Sequence, residues 1–258
     1  MNAIPVLDFV TWLMIFVRVS SAMFVSPIFS NEGIPATAKI FVAIILAYVI
    51  FMTFNKNGVQ ISIDGWSIMI IGIKEVLTGL MIGYMLNFVF WGISFAGTLI
   101  GFDIGLTMAE VFNPMEGSSN NVIGEFIYFG AVIIFLLING HHYVIRGLAY
   151  SFTIIPIGQF GITDSLFSLL IKYTSTIFVI AVKIASPIMV SFFLLHIAEG
   201  ILARVIPQMQ VFFVVQPIKI GLGLAIVAFV IPLYIFLIKN LLQDYEGKLF
   251  TFIQTMGK

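Results

Sequence analysis

The sequence predicts an all-α integral membrane protein, and three observations predict it. Of 258 residues, 60% are hydrophobic and only 9% are charged, with a mean hydropathy of +1.13; a soluble domain of that composition could not cover itself. Apolar stretches long enough to cross ~30 Å of hydrocarbon recur from end to end. Between them stand Gly, Pro and Asn, the residues that end helices.

Taken in order, the apolar segments cover residues 9–29, 34–54, 66–100, 122–138, 143–157, 166–202 and 211–238. The opening Met-Asn-Ala-Ile-Pro carries no basic cluster, and the first positive charge, Arg18, falls inside the apolar run. That segment therefore reads as an uncleaved first helix. The third segment is much longer than one span and is expected to bend or to form two helices, so the total is six to eight. Breaks are expected at Asn31-Glu32-Gly33, from Asn55 to Gly58, at Asn113-Pro114, at Asn139-Gly140, from Pro156 to Gly161 and at Pro207. Pro27, Pro187, Pro217 and Pro232 are expected to interrupt helical runs. No domain linker appears, so residues 1–258 read as one membrane-embedded domain. In its tail, 239–258, Leu242, Tyr245, Leu249 and Phe252 recur at helical spacing among charged neighbours. That pattern suits an amphipathic helix packed on a partner or at an interface, or equally a solvated helix end.

Twelve basic and twelve acidic residues balance to zero net charge. Their scatter excludes the basic footprint of a nucleic-acid binder. With no cysteine there is no disulfide or thiolate metal site. His141 and His142 are adjacent and point about 100° apart on a helix, so they do not form a chelating pair. No nucleophile elbow or phosphate-binding loop is present. The chain therefore reads as a non-enzyme without a cofactor or metal, forming part of a passage through a membrane. A self-sufficient carrier for a small solute is the alternative, but no internal repeat supports it. A membrane-embedded enzyme would have only His141, His142 and Glu125 to work with.

Charges inside the apolar runs cost about 2.5 kcal/mol or more if they face lipid at mid-depth. Arg18, Glu125 and Arg204 are accordingly expected as buried polar anchors, whereas Lys172 and Lys219, near span ends, are expected to snorkel to the surface. Glycines give the clearest local pattern: Gly79 and Gly83 follow Glu75 at four-residue steps, and Gly97, Gly101 and Gly105 repeat the interval. Both sets are close-packing faces, either within one bundle or as a seam between subunits. The polar segment 103–121 mixes Met108, Phe112 and Met115 with Asn113, Pro114 and Gly117. Such a loop either supplies an adaptable apolar constriction or simply packs on its own helices.

Several short arrangements taken together resemble a family. They are RVSSAMFVSPIFS from Arg18, IPATAKI from Ile34, KEVLTGLMIGY from Lys74, FAGTLIGFDIGLTMAEVFNP from Phe95, NGHHYVIRGLAYSF, and ARVIPQMQVFFVVQPIKIGLGL. In order and spacing, along the whole chain, they resemble the FliR family of flagellar biosynthesis proteins and its injectisome counterparts, the export-gate subunits of type III secretion. The chain departs from the family's wording at Gln210, where Asn is typical, and at Gln216, where a small or apolar residue is commoner. The resemblance implies helical hairpins packed in a spiral with FliP-like and FliQ-like subunits, capped by an FlhB-like subunit, around a secretion channel in the bacterial inner membrane at the flagellar basal body. Much of that assembly would sit above the membrane plane. It further implies that 108–121 forms the plug, sealed by the side chains of Met108, Phe112 and Met115 with Asn113, Pro114 and Gly117. Glu75, Gly79 and Gly83, with Gly97, Gly101 and Gly105, would form the subunit-packing seam. Unfolded flagellar subunits would pass through, and an injectisome role is the alternative.

Overall fold

The structure is a computed structural model, and it describes residues 6–27, 29–30, 33–53, 64–106, 122–208 and 211–257, without the side chains of 212 and 213. Among the described residues all regular structure is helical. The seven helices are α1 (Val6–Val25), α2 (Ala36–Thr53), α3 (Gly65–Ile104), α4 (Val122–Leu137), α5 (Gly140–Ile154), α6 (Asp164–Val205) and α7 (Val211–Met256). Five are long and apolar enough to cross a membrane, and α4 with α5 would add a sixth as a broken span.

The segment 66–100 does not divide. It forms one unbroken helix of 40 residues, because no proline lies within it and its central glycines pack on neighbouring helices. Nor do Pro187, Pro217 and Pro232 break α6 and α7. A proline removes the bond to the carbonyl four residues before it, and at Pro187 the Ser186 hydroxyl donates to the Lys183 carbonyl, 3.1 Å away. Where breaks do occur their chemistry is local. Asn139 adopts a left-handed conformation, φ 60°, between α4 and α5. Thr163 starts α6, its hydroxyl accepting the Leu166 amide at 3.3 Å.

The chain packs as two compact units. The first contains residues 1–88, 139–173 and 243–258, and the second 89–138 and 174–242. In the first unit, Ile15, Val19 and Met23 of α1 share a core with Ala43, Ala47 and Ile50 of α2 and Phe152 of α5. The tail continues α7 and packs on its own chain. Leu242, Tyr245, Leu249 and Phe252 are buried, Leu249 lies over Gly147, and the Phe250 ring meets Tyr150 edge-on at 5.6 Å. Gln254 donates to the Tyr150 hydroxyl at 3.1 Å, and Ile154 fills the space beside Gly257. Contacts advance together along α5 and the tail, so the two run parallel there.

In the second unit, Ile180, Ile184, Ile188 and Phe192 of α6 are buried at steps of four. Ile180 sits against Gly92 of α3, and the ring of Phe90 meets Tyr128 and Phe135 of α4 edge-on. Outer faces in this unit are apolar as well: Phe193 of α6 and Phe229 of α7 are 63% and 86% exposed.

Candidate functional site

Among the described residues no single cluster of reactive groups stands out. The polar contacts between helices described here gather at two junctions, one in each unit.

In the first unit the centre is Arg18, fully buried in the middle of α1. A guanidinium placed there must find partners for a forked set of donors, and it does. Its Nε lies 2.5 Å from Oε2 of Glu75 on α3, Nη1 donates to the Ser151 hydroxyl of α5 at 3.3 Å, and both terminal nitrogens donate to the Ile155 carbonyl at 3.1 Å. The Phe152 ring lies beneath the guanidinium, 4.1 Å from its carbon. The second oxygen of Glu75 accepts the Gly158 amide at 2.8 Å, and the Gly158 carbonyl accepts the Lys74 ammonium at 3.0 Å. Gly158 is held at φ +80°, a conformation that costs a side-chain-bearing residue strain. One ion pair thereby joins α1, α3, α5 and the turn after α5.

The glycine stripe continues upward from this pair. A Cβ at Gly79 would fall on the Ser21 hydroxyl and the Arg18 carbonyl oxygen, and one at Gly83 would come within 2.7 Å of the Ala22 carbonyl oxygen and 3.0 Å of the Val25 Cβ. One turn on, the Asn87 amide donates to the Val25 carbonyl. Residues rise together along both helices, so α1 and α3 run parallel at backbone contact. The atoms above Glu75, Gly79 and Gly83 thus belong to α1 of the same chain.

The second junction lies in the other unit, where α3 ends. A Cβ at Gly97 would land on the Cα of Gly124 in α4, and Gly101 is buried. Gly105, at φ +87°, closes the helix. Its amide bonds to the Phe102 carbonyl at 3.0 Å and the Leu106 amide to the Gly101 carbonyl at 3.0 Å, the pairing of a Schellman terminus. The space where a Gly105 Cβ would lie holds the Gln216 carboxamide of α7, which donates to the Gly105 carbonyl at 3.1 Å. On the same face of α7, Gly223 makes room for Ile104. Lys219 between them is buried and ion-paired with Glu199 of α6 at 2.7 Å. Lys219 therefore does not snorkel, because a carboxylate on the adjacent helix neutralises it where it stands. Asp103 lies within electrostatic reach of Lys219 and His196.

Gly105→Ala is expected to destabilise the chain by about 1–3 kcal/mol, through left-handed strain and displacement of Gln216. Thermal unfolding in detergent reads it, and Gln216→Ala added to that variant should recover part of the loss by vacating the space.

Two expected anchors are placed otherwise. Glu125 is exposed, because its position in the first turn of α4 lies on a face the chain leaves uncovered, where the helix dipole favours a carboxylate. Arg204 is exposed in the last turn of α6, the end a cation favours. Met108, Phe112, Asn113, Pro114, Met115 and Gly117 lie outside the described residues. The His141 and His142 ring centroids lie 4.2 Å apart, the planes tilted by 37°, and no set of three His, Asp or Glu suited to a metal ion exists among the described residues.

Residues 9–245 match the model of the family described as bacterial export proteins, family 1. The chain belongs to that family. The proteins of Bacillus subtilis, Aquifex aeolicus and Escherichia coli named flagellar biosynthetic protein FliR are similar to it. The first is 34% identical over 220 residues, covering 83% of each chain. The second is 29% identical over 246 residues, covering 95% of each. The third is 26% identical over 230 residues, covering 88% of this chain and 87% of the relative.

Within this export-protein frame, reasoning from sequence missed Ser151, Gly158 and Asn87 as members of the first junction, and the Lys219–Glu199 pair in the second. A signal existed for the pair: Glu199 and Lys219 are opposite charges, each flanked by apolar residues in long helical runs. Ser151 and Gly158 carry no such mark, since their role is to accept and donate single bonds to residues far away in the chain.

Proposed function

We propose that this chain is a non-enzymatic structural subunit of the flagellar type III protein export gate, needed for building the flagellum. The observation that carries this reading is the family match along nearly the whole chain, with relatives named for flagellar biosynthesis matched over most of their own length. It would reside in the inner membrane at the basal body and assemble with FliP-like, FliQ-like and FlhB-like subunits. Unfolded flagellar subunits would cross through the channel, with energy supplied elsewhere in the apparatus. The segment carrying Met108, Phe112, Asn113, Pro114, Met115 and Gly117 would seal it at rest.

Helix length supports an environment made largely of protein. At 1.5 Å per residue, α3, α6 and α7 extend about 60, 63 and 69 Å, roughly twice the hydrocarbon thickness. The outer face of α6 is apolar yet carries the exposed charges of Lys172, Lys183 and Arg204; neighbouring subunits can accommodate both features at any depth, whereas lipid tolerates such charges only near its surfaces. The seam of Glu75, Gly79 and Gly83 would serve assembly by setting the spacing of α1 and α3, on which the surface offered to partners depends. Glu125 and Arg204, exposed on the single chain, would find their polar partners across subunit contacts.

The test is deletion of the gene with a motility assay, together with co-purification of a tagged copy expressed with its neighbouring genes in mild detergent. Non-motile cells lacking filaments, and one stable complex with FliP-like and FliQ-like subunits, are the expected results. A lone monomer that transports a solute would sink the reading.

A further inference from the structure

The end of α7 lies on α5 beside the buried ion pair of the first unit. From Gln243 onward α7 belongs to that unit, and its residues follow α5 in step. Glu246 accepts a hydrogen bond from the Tyr143 side chain, Leu249 covers Gly147, Phe250 and Gln254 meet Tyr150, and Gly257 abuts Ile154. At about 100° per residue these four α5 positions form one stripe. About a third of a turn round the same helix stand Ser151, Phe152 and Ile155, the residues that serve Arg18. Ile154, held by the tail, is the immediate neighbour of Ile155, whose carbonyl takes both terminal nitrogens of Arg18. On another side of the tail the Tyr173 ring lies 6.1 Å from Tyr245 and 6.2 Å from the fully buried Phe252.

The helix is weakest where this packing begins. The Tyr245 hydroxyl and Oε1 of Glu246 are buried without hydrogen-bond partners among the described residues, which costs free energy. Gly247 is exposed, with open space where a Cβ would stand, and glycine is a poor helix former in a helix interior. Beyond it Leu249, Phe252, Ile253 and Met256 are buried again. A bend at 245–247 would let the two polar atoms find partners and would lift those four side chains from their packing.

We propose that residues 248–256 are a releasable strap that positions the end of α5. Docked, the strap keeps the Ile155 carbonyl on Arg18 and the Gly158 amide on Glu75. Undocked, it loosens that junction and, through it, the backbone contact of α1 with α3. The core that Ala43 shares with α1 contains no strap residue, so it stays closed when the strap lifts. The device belongs to the single chain and does not depend on the export-gate function.

Because the chain has no cysteine, single thiols report local opening cleanly. Thr78→Cys places one on α3 at a fully buried position, three residues from Glu75, and Ala43→Cys places another in the α1–α2 core. Labelling by N-ethylmaleimide is followed in the full-length chain in mild detergent. Phe252→Ala is expected to speed labelling at position 78 at least tenfold and to leave position 43 unchanged; Leu249→Ala replaces it where that variant is not recovered folded. Gly247→Ala, which adds helix propensity in open space, should slow labelling at position 78 about fivefold. Equal acceleration at both positions would mean general loss of stability and overturn the strap. So would an unchanged rate at position 78 in the Phe252 or Leu249 variant, or Gly247→Ala labelling as fast as the parent.

Discussion

Arg18→Met lowers the stability of the chain by about 3–5 kcal/mol, because it removes one partner of a fully buried ion pair and leaves the Glu75 carboxylate beside apolar surroundings. The loss is spread over several groups: the Ser151 hydroxyl and the Ile155 carbonyl each lose a donor at the same moment. Only the Gly158 amide remains on Glu75. In a chain of this size the change corresponds to a fall of roughly 6–20 °C in thermal midpoint, measured in detergent. Arg18→Lys should fall between, since an ammonium keeps the charge but cannot fork to both Glu75 and Ile155. The double variant Arg18→Met with Glu75→Met separates the contributions: recovery of a large part of the loss means that the orphaned charge dominates. If the single Arg18→Met variant melts within a degree or two of the parent, the junction does not hold α1, α3 and α5 together.

Gly79→Leu prevents α1 and α3 from closing. Even the first carbon of a side chain at this position meets the Ser21 hydroxyl and the Arg18 carbonyl oxygen. The hydroxyl can rotate away, but the carbonyl belongs to the backbone of a helix. Gly79→Ala should already cost about 3 kcal/mol, the upper end for overpacking, and Leu should abolish recovery of folded chain. The two predictions are linked, because separating the helices at Gly79 stretches the Arg18–Glu75 pair one turn away. Gly72→Ala and Gly130→Ala are the controls. Both glycines lie in helices with open space where a Cβ would stand, so alanine there should be neutral or stabilising by up to about 1 kcal/mol. Equal effects at all three glycines would show that helix propensity and not backbone contact decides the outcome.

The helices themselves were legible from composition and punctuation. Asn139-Gly140 and the stretch from Pro156 to Gly161 mark real ends, because the loss of a helical amide or a left-handed residue acts on the nearest turn. Proline within α6 and α7 was misleading for the same reason seen in reverse: its effect is local, and a neighbouring group such as the Ser186 hydroxyl can absorb it. Family membership was legible as well, since it rests on the order of short motifs and not on how they pack.

Which way each helix faces is a different matter. When a helix is apolar on every side, hydrophobic periodicity no longer distinguishes core from surface, so buried Arg18 and exposed Arg204 look alike in the chain. Lys219 looked like a residue reaching for a surface until Glu199 stood beside it. By itself the sequence determined the membrane class, the helical segments and the family of this protein. Only the tertiary structure decided which charges are paired and which glycines touch backbone, because those outcomes depend on bonds between residues dozens of positions apart, such as Arg18 with Ile155 and Gly105 with Gln216.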